Sequence, residues 1–280
     1  MALYVVATPI GNLDDFTKRS IDILNKVDLI LCEDTRTSSV LLKHFNINTK
    51  TISYHKFNEK EKCNSIIKDL LSGKEIALIS DAGCPCISDP GSILVNEAIK
   101  NNIDVYGIPG ASAVTTAIMV SGMDSKSFTF YGFLSRENKK MEEELEKMKS
   151  DSSNIAIIYE SPKRIIKTLS KINEYFPNSN ILLANELTKK FEKKYYGTIT
   201  EVLEILNNSD VAELGEYVLL IEKEKQNTLE DTISYEALIV DEIIKNKCTI
   251  KDAIKLVSDK YHYNKNDIYK ASLNLKDIFK

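Results

Sequence analysis

The sequence predicts an α/β protein: two α/β domains in succession, then a small helical module. Short apolar runs alternate with stretches of helical spacing along most of the chain. In the first half, four of those runs stop in polar or Gly/Pro turns, at 8–12, 33–36, 81–91 and 109–113. The composition then shifts at 121–127 and again at 222–231, which places boundaries at 1–121, 122–225 and 226–280.

Residues 3–7 are an apolar strand that turns at Thr8-Pro9-Ile10-Gly11-Asn12-Leu13. Asp14-Asp15 cap a helix whose buried stripe is Ile21, Leu24 and Val27. A second strand, 29–32, closes at Glu33-Asp34-Thr35-Arg36, and 37–45 follows as a helix with Val40, Leu41 and Phe45 inward. Residues 59–71 form another helix, leading to strand 76–79. That strand breaks into Ser80-Asp81-Ala82-Gly83-Cys84-Pro85-Cys86-Ile87-Ser88-Asp89-Pro90-Gly91. Gly83 and Gly91 permit close approaches a Cβ would block, and Pro85 and Pro90 stiffen the turn. An ordinary surface loop also favours such residues. Residues 93–99 are helical, 104–108 a strand ending at Pro109-Gly110-Ala111-Ser112-Ala113, and 114–120 a helix of small residues. In a parallel sheet all four turns share one edge, where α/β sheets hold ligands. No Gly-x-Gly-x-x-Gly or Walker loop is present to cradle a pyrophosphate.

The second set opens with strand 128–133 and a charged helix, 137–149, with Met141, Leu145 and Met148 as one core-facing stripe. Strand 155–159 ends at Glu160-Ser161-Pro162-Lys163-Arg164, with Pro162 suited to the first turn of a helix. Strand 181–184 ends at Asn185-Glu186-Leu187-Thr188-Lys189-Lys190; an edge strand at 195–198, a helix at 199–206 and a last strand at 217–221 follow. Polar residues 222–231 read as a linker. Three short helices, 235–245, 250–260 and 265–275, then suggest a helix-turn-helix-like bundle with a slight excess of Lys over acidic residues.

Hydrophobic content of 43% and charged content of 28% are those of an ordinary soluble protein. No apolar run reaches the ~20 residues of a membrane span, and the N-terminus lacks the basic region of a signal peptide. Five scattered cysteines argue against a disulfide framework and fit a reducing cytoplasm. Cys84-Pro85-Cys86 has no second pair, and His44, His55 and His262 show no ligand spacing, so no metal site is expected. The net charge of −4 leaves any nucleic-acid contact to local basic patches, such as Lys163-Arg164 with Lys167, or Lys189-Lys190 with Lys193-Lys194 beside Tyr195-Tyr196.

Thr8-Pro9-Ile10-Gly11-Asn12-Leu13, Glu33-Asp34-Thr35-Arg36, Ser80-Asp81-Ala82-Gly83, Ile87-Ser88-Asp89-Pro90-Gly91, Pro109-Gly110-Ala111-Ser112-Ala113, Tyr159-Glu160-Ser161-Pro162 and Glu186-Leu187-Thr188-Lys189 occur in this order. Together they resemble the bacterial 16S ribosomal RNA cytidine 2′-O-methyltransferases of the tetrapyrrole-methylase-like (class III methyltransferase) superfamily. The resemblance covers about residues 2–225, and the terminal helices resemble that family's C-terminal module. It implies an S-adenosylmethionine-dependent enzyme with the cofactor in a cleft between two α/β domains, a homodimer as the working form, and methylation of a cytidine ribose in the decoding centre of the small ribosomal subunit. Other members act on tetrapyrroles or protein side chains, and a non-catalytic ribosome-binding module is a further alternative. By the same resemblance the cofactor falls on Pro9, Ile10, Asp81, Ala82, Gly83, Cys84, Ile87, Ser112, Ala113, Tyr159, Glu160, Asn185 and Glu186. Cys84 and Cys86 replace the family's usual Thr and Gly, Lys163 a His, and Asn185 a frequent Arg; a Cβ at position 86 demands an ordinary φ. Methyl transfer to a hydroxyl needs alignment and a proton acceptor or a polarising cation. The candidates are Glu33, Asp34, Arg36, Asp81, Glu186 and Lys189, with Asp34 and Arg36 as the leading pair.

Overall fold

The computed structural model describes residues 1–208, 215–223, 234–261 and 263–275. The linker read at 222–231 lies outside them from 224 onward, as do His262 and residues 276–280. The chain forms two compact units, Met1–Glu224 and Lys225–Lys280.

The first unit begins with five parallel strands, β1 (Ala2–Val6), β2 (Leu29–Cys32), β3 (Thr51–Ser53), β4 (Glu75–Ile79) and β5 (Asp104–Ile108), in the order β3-β2-β4-β1-β5. Helices α1 (Lys18–Lys26) and α2 (Thr35–His44) cover one face through Leu24 and Leu42 on Val6, Ile30 and Ile79. Helices α3 (Glu59–Leu71) and α4 (Ser92–Lys100) cover the other through Ile66, Leu70 and Leu94 on Leu3, Leu31 and Leu78. Burial on both faces is why β1, β2 and β4 read as apolar runs. The chain leaves β1 for β2 on one side and β4 for β5 on the other, so the winding reverses between neighbours β1 and β4. The loops after such a pair diverge and leave a crevice. Here Thr8 and Gly83 exchange backbone hydrogen bonds of 2.9 and 3.1 Å across its floor.

Helix α5 (Ala113–Ser121) departs from this sheet. Its Val114 and Ala117 pack on Ile155, Ile157, Leu182, Ala184, Val218 and Leu220 of a second sheet. That sheet comprises β6 (Phe128–Phe133), β7 (Ile155–Glu160), β8 (Asn180–Asn185), β9 (Lys193–Thr198) and β10 (Tyr217–Glu222), in the order β6-β7-β10-β8-β9. Only β6 and β7 are parallel; β10 runs antiparallel to both β7 and β8. The alternate residues Ala156, Ile158, Leu183 and Leu219 face α6 (Asn138–Ser150), α7 (Ile165–Tyr175) and α8 (Ile199–Asn207), with Met141, Leu145 and Met148 buried in that layer.

Three local expectations are corrected. Thr17 rather than Asp14-Asp15 caps α1, its hydroxyl accepting the Ser20 N–H at 3.1 Å. Val40 points outward at 69% exposure, because α2 buries Ser38 and Leu42 and position 40 lies on the opposite side of that stripe. Pro162 sits in a turn ahead of α7 rather than in its first turn. Strand β3, only three half-buried residues long, carried no apolar run to reveal it.

In the second unit, α9 (Tyr235–Asn246), α10 (Ile250–Tyr261) and α11 (Lys265–Ser272) enclose Leu238, Ile239, Ala253, Val257 and Ile268. Among the described residues no helix is long and apolar enough to cross a membrane.

Candidate active site

A cavity of about 300 Å³ opens where β1, β2, β4, β5, β7 and β8 end and β10 begins. The first sheet lines it with Ile10, Glu33, Asp81, Ala82, Gly83, Cys84, Ile87, Ser112 and Ala113. The second contributes Tyr159, Glu160, Glu186 and Lys189. Four sequence candidates lie outside the lining. Pro9 precedes Ile10 in the β1 loop, Asn185 is buried at the end of β8 with its amide donating to the Glu216 carbonyl (3.4 Å), and Asp34 and Arg36 open α2 beside the wall. Ser88, Asp89, Phe133, Leu187, Glu216, Tyr217 and Val218 also line the cavity and were not among the candidates. Glu216, Tyr217 and Val218 escaped because β10 is antiparallel: it brings its first residues, opposite Glu160 and Asn185, to the edge where its neighbours end.

The wall is acidic. Six lining residues carry a carboxyl (Glu33, Asp81, Asp89, Glu160, Glu186, Glu216), and Lys189 is the one cation among the described lining residues. Lys189 is committed to Glu186, Nζ to Oε1 at 2.7 Å. Burial first, then the neighbouring carboxylates Asp89 and Asp81, pushes the Glu33 carboxyl up from its ordinary value. Asp89 is pushed up by burial and then by Asp81 and Glu216, and Asp81 by burial and then Asp34. Carboxylates crowded in a dehydrated wall are stabilised by an incoming cation and repel phosphate.

Asp34 has the opposite character. Its carboxylate accepts from Arg36 through Nε (3.1 Å), Nη2 (2.6 Å) and the backbone N–H (2.8 Å), capping α2. The Arg36 guanidinium holds its carboxyl down at about 2. Its own N–H donates to Asp81 Oδ1 at 3.1 Å, tying the pair to the cavity wall.

The two loops that close the site are held in unusual backbone conformations. Cys86 has φ 69°, in the left-handed region despite its Cβ, which overturns the expectation of an ordinary φ there. The left-handed conformation costs a non-glycine residue about 1–2 kcal/mol. We therefore expect Cys86→Gly to be more stable than Cys86→Ala by about 1 kcal/mol, the reverse of the usual order, since both lose the thiol and only alanine retains the strain; paired urea melts measure the difference. Glu186 (φ 53°) and Thr188 (φ 67°) share this conformation. Glu186 is fixed by its N–H on the Glu216 carbonyl (3.1 Å) and by Oε1, which accepts the Glu216 N–H (3.2 Å). The Lys189 arm lies across Gly11, where a Cβ would collide with its Cγ, so the β8 loop reaches the β1 loop only over a glycine.

Residues 2–203 match the model of the Tetrapyrrole (Corrin/Porphyrin) Methylases. Two relatives are named ribosomal RNA small subunit methyltransferase I. That of Halalkalibacterium halodurans is 40% identical over 95% of this chain and 93% of its own length. That of Mycoplasmopsis pulmonis is 47% identical over 78% of this chain and 96% of its own. Among solved structures, a diphthine synthase superposes with a TM-score of 0.63 at 13% identity, over 79% of this chain and 89% of that one, a likeness of fold.

Proposed function

Because the chain belongs to the tetrapyrrole methylase family and, within it, to the small-subunit ribosomal RNA methyltransferases I, we propose that it transfers a methyl group from S-adenosylmethionine to the ribose 2′-oxygen of a cytidine in 16S ribosomal RNA, acting in the cytoplasm as a homodimer. The observation that carries this reading is the acidic cavity shared by two sheets. Its wall fits the donor: carboxylates for a sulfonium and an ammonium, Ile10, Ala82, Ala113, Leu187 and Val218 for an adenosyl group, and no phosphate cradle. The N-terminus of α5, where Ser112 makes no capping bond, offers N–H groups to the donor's carboxylate. The outer edge of β5, with half-exposed Tyr106, and Met119 on α5 offer apolar surface for a second copy.

Bound S-adenosylmethionine supplies a methyl group activated for displacement. The chain aligns the acceptor and excludes water, which is worth ~7–11 kcal/mol when the reacting atoms are held in line. Glu33, in the wall and with a raised pKa, accepts the proton of the ribose hydroxyl. Asp34 anchors the exposed Arg36 at the rim, where a guanidinium meets the RNA backbone. Mass mapping of unmethylated small subunits incubated with the protein and the donor tests the reading. One cytidine with a methylated ribose is expected; transfer only to tetrapyrroles or protein side chains, or no donor binding by calorimetry, would replace it with the corresponding alternative.

The RNA surface falls on the exposed lysines 163, 167, 190 and 193. Arg164 is tied to Glu160 and Lys194 to Glu192, Tyr195 packs on the core, and Tyr196 donates its hydroxyl to the Val120 carbonyl. Combining Lys163→Glu with Lys190→Glu is expected to flatten the salt dependence of subunit binding by about 1.4–1.8 in log–log slope, from ~0.7–0.9 per phosphate contact. Filter binding across salt concentrations reads it; an unchanged slope moves the contact elsewhere.

A further inference from the structure

We propose that Phe133 is the platform on which the acceptor's nucleobase stacks, a specificity-determining contact that rests on the RNA methylation proposed above. Phe133 is the last residue of β6 and lines the cavity, yet it is 58% exposed, a large aromatic ring in a site whose charged lining is mostly carboxylate.

The fold aims this ring deliberately. The pairing of β6 with β7 slips between Phe130 and Gly132, and Gly132 takes φ 69°. Such a bulge adds a residue and re-aims the side chains after it. Regular alternation would send Phe130 and Phe133 to opposite faces. Instead both meet the same ring, that of Tyr159, with centroids 4.8 and 5.6 Å away and tilted by 65° and 63°.

The backbone just beyond is clamped from behind. Arg164 Nη2 donates to the carbonyls of Leu134 (3.1 Å) and Ser135 (3.3 Å). Arg164 is paired with Glu160 (3.3 Å), which is 1% exposed and also accepts from the Thr168 hydroxyl (2.6 Å) and the Ser161 N–H (2.7 Å). The Ser135 N–H donates to Glu144 at 2.8 Å. A buried carboxylate is thus spent on holding the segment that carries an exposed ring. That is preorganisation of a contact surface.

The electrostatics select the occupant. The carboxylates inside repel phosphate, so an RNA backbone stays outside and only an extruded nucleoside enters. An extruded base has lost its stacking neighbours and finds a replacement on an aromatic side chain.

The test uses the full chain with Phe133→Ala, Phe133→Leu and Phe133→Trp. S-adenosylmethionine affinity is read by calorimetry, and KM and kcat are read with small ribosomal subunits. Alanine and leucine are expected to raise the KM for subunits by about five- to a hundred-fold, with donor Kd within twofold of wild type and tryptophan near wild type. Three outcomes overturn the proposal: rescue by leucine equal to that by tryptophan, which makes the ring mere packing; loss of donor affinity in place of subunit affinity, which gives the ring to the donor; and an unchanged KM in the alanine variant. A wild-type protein that methylates no small subunit fails one step earlier, on the substrate itself, and takes this proposal with it.

Discussion

Glu33→Gln is expected to lower the rate of methyl transfer by a factor of about 10²–10⁴, the usual worth of a positioned proton acceptor. Donor affinity should fall far less, because five other carboxyls of the lining remain (Asp81, Asp89, Glu160, Glu186, Glu216). The pH profile separates Glu33 from its neighbour. With its pKa raised, Glu33 begins to lose its basic form while the falling pH is still above the ordinary carboxylate range, so the wild-type rate declines from there downward. Asp34, held near 2 by Arg36, would leave the rate flat across that range. Single-turnover rates of both proteins over pH decide; a Gln variant with the wild-type rate and profile excludes Glu33. The raised pKa also means that the charged form of Glu33 is disfavoured by folding. Its contribution to stability is therefore greatest below the unfolded pKa and is lost as pH rises through the folded one, which a bound cation offsets.

Gly91→Ala is expected to destabilise the chain by about 2–4 kcal/mol, which at this size lowers Tm by roughly 5–15 °C. Gly91 is the N-cap of α4, with φ 133°. A Cβ there would stand 2.5 Å from Leu78 Cδ2 and 2.7 Å from Cys86 Sγ. Leu78 belongs to β4 and is buried, so neither the backbone nor the neighbour yields cheaply. Gly107→Ala is the control: a Cβ there would meet no heavy atom of the described residues within 4 Å, and its Tm should barely move. Calorimetric scans of both variants check the pair; equal Tm values would show that the 81–91 loop accommodates a side chain at its end.

The strands that carry the cavity were legible because burial on two faces writes an apolar run into the sequence, as at Leu29–Cys32 and Ile155–Glu160. The turns ending them were legible because Gly, Pro and Asp stop such runs abruptly. What escaped has physical reasons. Three residues of β3 are too few to show a pattern. The left-handed Cys86 is unreadable from a residue type that seldom adopts that conformation; its neighbours impose it. Glu216 was hidden by strand direction, which pairing decides and local composition does not. Phe133 reads as a core residue of an apolar strand, and only the bulge at Gly132 turns it toward the opening.

Helix α5 follows a strand of one sheet and plugs the apolar surface of the other. It is therefore part of the second sheet's layer and reaches the first only through residues 109–112, so the two sheets can part with Val114 and Ala117 still seated, and amide protons of β1 and β7 are expected to exchange with separate opening free energies. The segment at 109–112 is thus the one covalent joint that any widening of the aperture between β5 and α5 must bend.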